Sequence, residues 1–74
     1  MKNNVRKYLY KRIELGNYTV DDFLEDAKVG RTSLFEIMRG KQIPRIDTAA
    51  RIANALKEPV QKVFPILGGG EKHD

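Results

Sequence analysis

Cysteine is absent from these 74 residues, which removes a disulfide staple and a thiolate zinc site as supports for a small fold. Helix packing must then supply the stability, and redox state is of no consequence. Long apolar runs are missing as well. No stretch approaches the roughly 20 apolar residues that span a bilayer, and the start Met1-Lys2-Asn3-Asn4 lacks the apolar block of a secretory signal. The expectation is a cytoplasmic protein with no membrane contact. Histidine occurs once, as His73, in a terminal stretch where it finds no partner for base catalysis or metal binding. No set of serine, histidine and acid, no phosphate loop and no metal-ligand spacing is present. An enzyme, a cofactor and a small-molecule substrate all lack a basis.

What the chain does have is positive charge, +4 at neutral pH with a pI near 9.6, arranged unevenly. Residues 1–18 hold five basic and one acidic side chain, residues 19–27 none and four, and residues 28–51 six and two. An acidic segment between two basic ones gives the protein a polar axis suited to a polyanionic partner. The length allows one domain, expected over residues 1–67. The sequence after it, residues 68–74 (Gly-Gly-Gly-Glu-Lys-His-Asp), is expected to be a disordered tail.

The apolar spacing predicts about five short helices and an all-α fold. Val5, Leu9 and Ile13 recur every fourth residue, so residues 5–15 form an amphipathic helix closed near Gly16. Thr19 and Asp22 have capping-box spacing and open a second helix that buries Val20, Phe23, Leu24 and Ala27. A third helix carries Leu34 and Ile37 and ends at Gly40, a residue suited to a left-handed cap, before Pro44. In the fourth, Ile46, Ala49, Ala50, Ile52, Ala53 and Leu56 share one face. Pro59 at a first helical position, followed by Val60, Val63 and Phe64, predicts a last short helix stopped at Pro65.

Phe23, Ala27, Val29, Leu34 and Ile37 have the spacing of a helix-turn-helix, with two apolar residues from its first helix, one from the turn and two from its second. With Arg39-Gly40-Lys41, Pro44 and the alanine-rich helix after them, residues 5–64 resemble the Cro and phage-repressor class of helix-turn-helix domains. The resemblance implies a small transcriptional regulator, most naturally a repressor, that binds double-stranded DNA as a homodimer with its third helix in the major groove. It implies base contacts from Arg31, Thr32, Ser33 and Glu36, with Phe35 alongside. The chemistry agrees: Arg31 can grip guanine O6 and N7, Thr32 and Ser33 can reach a base edge, and Glu36 can accept from cytosine N4. Phosphate contacts are implied for Thr19 at the start of the second helix and for the loop, through Arg39, the backbone N–H groups near Gly40, Lys41 and Arg45. Val60, Val63, Phe64, Ile66 and Leu67 exceed what the last helix needs for its own core and are candidate dimer contacts.

Several positions stay open or depart from the family pattern. Phe35 either meets a thymine methyl or tucks against the second helix or a neighbouring subunit. Glu36 either reads a base or pairs with Arg39 three residues on. Val20 stands where the family has a glutamine, Leu24 where it has an alanine, and Lys28 where it has the turn glycine. Either Lys28 bears the left-handed conformation or Gly30 takes it over and shifts the third helix by a residue. The acidic cluster Asp21, Asp22, Glu25 and Asp26 reads as helix-dipole and solubility charge rather than a metal site. It also motivates an alternative from another class, a protein-interaction module of antitoxin or anti-repressor type on the same fold.

Overall fold

Five helices follow one another in the computed structural model, which describes residues 2–65: α1 (Val5–Leu15), α2 (Val20–Ala27), α3 (Arg31–Met38), α4 (Ile46–Leu56) and α5 (Val60–Val63). No strand occurs among the described residues, in keeping with the all-α expectation. The expected tail, with Ile66 and Leu67 before it, lies outside them.

Local chemistry fixes the helix ends. Gly16 stops α1 at φ +101°, its N–H donating to Ile13 O at 3.0 Å. The Thr19 hydroxyl accepts from the Asp22 N–H at 3.2 Å while the Asp22 carboxylate accepts from the Thr19 N–H at 3.1 Å, completing the capping box of α2. At the end of α3, Gly40 has φ +81°. Its N–H donates to Ile37 O at 3.0 Å and that of Lys41 to Glu36 O at 2.9 Å, the paired bonds of a Schellman cap.

The turn between α2 and α3 takes one of the two routes left open by the sequence. Lys28 adopts the left-handed conformation at φ 55°, ψ 50°, whereas Gly30 is extended at φ −75°, ψ 155° and serves as N-cap of α3. The third helix is therefore not displaced. What holds a lysine in a glycine conformation is the bonding around it. The N–H groups of Lys28 and Val29 both donate to Leu24 O, and Arg51 Nε of α4 donates to Ala27 O at 3.0 Å. Left-handed backbone costs a non-glycine residue about 1–2 kcal/mol, and glycine's freedom in the unfolded chain takes back about half of any gain. Lys28→Gly is thus expected to raise stability by about 0.5–1 kcal/mol, a few degrees in Tm for a chain of this size. Thermal melting checks this, and a midpoint at or below that of the wild type contradicts it.

The core lies around α4, which packs against α1, α2 and α5. Ala49, Ile52, Ala53 and Leu56 are buried there with Val5 and Leu9 of α1, Phe23 and Ala27 of α2, and Leu34 and Ile37 of α3. The two alanines let neighbouring backbones approach closely. Ile46, the first residue of α4, departs from the expected face: it is 70% exposed. Pro59 is the N-cap of α5 (φ −68°, ψ 150°) rather than its first helical residue.

Polar side chains tie the helix ends together. Arg12 donates to Ala55 O at 3.0 Å and stacks 4.3 Å over the Tyr18 ring, whose hydroxyl donates to Asp26 at 3.0 Å. Burial, then the hydrogen bond to Asp26, pushes the Tyr18 hydroxyl up to about 12. Ahead of α1, Asn3 Nδ2 donates to Ile37 O at 2.7 Å, and Asn4 donates through its backbone to Val63 O and through its side chain to Lys62 O, each at 2.8 Å. This short segment thereby joins the C-terminal ends of α3 and α5.

Candidate nucleic-acid interface

Leu34 and Ile37, three residues apart and fully buried, anchor α3 to the core. At 100° per residue the opposite side of the helix presents Thr32, Phe35, Glu36 and Arg39. Arg31 and Ser33 flank that face on either side. Arg31, Thr32 and Arg39 are exposed, and Ser33, Phe35 and Glu36 are half-buried. All five expected base readers thus lie along or beside one outward face, and Arg39, expected only at the backbone, shares it. Gly30 as N-cap brings no side chain to the start of α3, so the first-turn N–H groups are left to whatever approaches that end.

Two open readings narrow. Among the described residues Glu36 makes no ion pair with Arg39; the pairs present are Arg31 with Asp21 and Arg51 with Asp47. Phe35 is half-buried without being among the side chains packed on the core, and one helical turn to either side of it stand Arg31 and Arg39.

The loop after α3 requires a correction. The N–H groups of Gly40, Lys41 and Gln42 donate to the carbonyls of Ile37, Glu36 and Glu36, at 3.0, 2.9 and 3.3 Å, so they close the helix rather than face outward. What this loop offers outward is therefore side chains, and those of Arg39, Lys41 and Arg45 are all exposed. At the start of α2 the exposed Thr19 hydroxyl accepts the capping bond but keeps its own proton to donate. Val20, which departs from the glutamine of the family pattern, is partly buried against the core, and its side chain carries no polar atom.

The expected dimer contacts also change. Val63 and Phe64 are 0% exposed within the chain's own core, which leaves their side chains no surface to offer a second copy. Val60 is partly buried against the same core, and Ile66 and Leu67 lie outside the described residues. The exposed large apolar side chains are Tyr10, Leu15, Ile43 and Ile46.

Sequence reasoning missed three positioning contacts. Asp21, near the start of α2, receives a hydrogen-bonded ion pair from Arg31, the first residue of α3. Arg51 binds the end of α2 at Ala27 O, and Asn3 binds the end of α3 at Ile37 O. The acidic residues before the turn and the basic one after it were the only available signal for the first; the other two bonds span 24 and 34 residues and leave no periodic trace.

A family model described as helix-turn-helix matches residues 9–63, from within α1 to the end of α5. Comparison with curated proteins and with solved structures finds no match. No described helix is long and apolar enough to cross a membrane.

Proposed function

The chain belongs to the helix-turn-helix family of DNA-binding regulators, and from that premise we propose that it reads a specific duplex sequence through α3 in the major groove and acts as a repressor by occupancy. One observation carries the reading. Leu34 and Ile37 lock α3 to the core while its other side offers a guanidinium, hydroxyls, a carboxylate and an aromatic ring along a single face. That mixture of donors, acceptors and apolar surface is what base edges in the major groove require. Arg31, Thr32, Ser33, Phe35 and Glu36 are the base-contacting set, and Thr19, Arg39, Lys41 and Arg45 hold the backbone on either side.

A module this small gains its affinity by pairing, so we infer a homodimer reading two half-sites one helical turn apart. Salt titration of the complex tests the phosphate contacts. Two copies, each engaging three cationic side chains, give a slope of log affinity against log salt of about −5. A slope near zero, with binding to another protein instead, favours the protein-interaction alternative.

A further inference from the structure

Arg31 does not stand alone at the front of the reading helix. Its guanidinium is held by the carboxylate of Asp21 across the turn, between two exposed side chains ten residues apart. Asp21 takes no part in the capping box, which Thr19 and Asp22 complete without it. We infer that Asp21 is a specificity-determining residue for DNA, one that positions Arg31 for a guanine and opposes docking wherever no guanine is present.

This inference rests on the proposed DNA-reading role of α3. In a helix-turn-helix the first helix crosses the phosphate backbone while the second enters the groove, which brings the N-terminal end of α2 close to phosphates. A carboxylate there repels them unless a cation covers it. Arginine has five donors in a planar fork, so Arg31 can give two to guanine O6 and N7 while another stays on Asp21. At a guanine, both the purine and the carboxylate are satisfied. At any other base, Arg31 either keeps to Asp21 and contributes nothing, or swings to a phosphate and leaves Asp21 bare beside the backbone. The carboxylate thereby prevents Arg31 from acting as an indiscriminate phosphate binder.

The test compares affinities for a selected duplex and a scrambled duplex at several salt concentrations. Asp21→Asn is expected to raise affinity for scrambled DNA, steepen its salt slope by about 0.9 per copy as Arg31 is freed for a phosphate, and lower the ratio of specific to nonspecific binding roughly tenfold. Glu25→Gln removes the same charge from an exposed position on α2 and is expected to leave that ratio unchanged. In an Arg31→Ala background, Asp21→Asn is expected to have no effect on the ratio. Melting curves establish that each variant is folded at the assay temperature.

If Asp21→Asn shifts both affinities by one factor, as Glu25→Gln does, or lowers the ratio even without Arg31, Asp21 is only a surface charge and the inference is overturned. A wild-type protein that selects no duplex at all overturns the DNA-reading role itself, and this inference with it.

Discussion

Phe64→Ala is expected to destabilise the folded chain by about 3–5 kcal/mol, the cost of emptying a fully buried aromatic site. A domain of this length has total stability of about 4–11 kcal/mol, so the variant is expected to lose from about a quarter to all of it. The size of the effect follows from where Phe64 lies. It directly follows α5, only four residues long, and its 0% exposure makes it one of the largest fully buried side chains, alongside Phe23. Its N–H donates to Val60 O at 2.7 Å and so closes the end of that helix. Thermal melting at two protein concentrations checks the claim. A loss that is the same at both concentrations marks Phe64 as core; one that appears only on dilution would make it a contact between subunits.

The second large effect concerns recognition rather than folding. Arg31→Ala is expected to cost about 1–3 kcal/mol in affinity for the preferred duplex and to relax the base requirement at one position of each half-site. Fold stability should scarcely change, because Arg31 is exposed and its partner Asp21 is exposed too, so their ion pair contributes little. Lys41→Ala provides the contrast. As a proposed phosphate contact it carries no sequence information, so its loss is expected to weaken all duplexes alike and reduce the salt slope by about 0.9 per copy. Affinities of both variants for a panel of single-base substitutions separate the two behaviours. A uniform loss for Arg31→Ala, with no change in base preference, contradicts its assignment as a reader.

Most of the fold was legible because several local signals agreed. The four-residue recurrence of Val5, Leu9 and Ile13, the capping box at Thr19 and Asp22, and Gly40 before Pro44 each fix a helix or its end through short-range chemistry. The face of α3 was legible for the same reason, since Leu34 and Ile37 define its buried side and leave the rest outward. Lys28 was not decidable from sequence. The roughly 1–2 kcal/mol that a left-handed lysine costs is matched by what a charge-assisted hydrogen bond returns, and the one that holds the turn, from Arg51, comes from α4. The helix of Val60–Val63 was too short for its periodicity to define a face, so Val63 and Phe64 read as surplus apolar surface when they are core. Ile46 failed in the opposite sense: its spacing matched the buried face, but as the first residue of α4 it stands in solvent. Arg31 was legible as a donor, though not as one already engaged, because its bond to Asp21 crosses from one helix start to the next.

Selection of binding sites from a random duplex pool at low salt, followed by sequencing, tests the central claim most directly. The account predicts a twofold-symmetric consensus with half-sites about 10 base pairs apart and a guanine in each, at the position whose requirement Arg31→Ala removes. A pool that emerges without enrichment, or a consensus indifferent to Arg31, contradicts it.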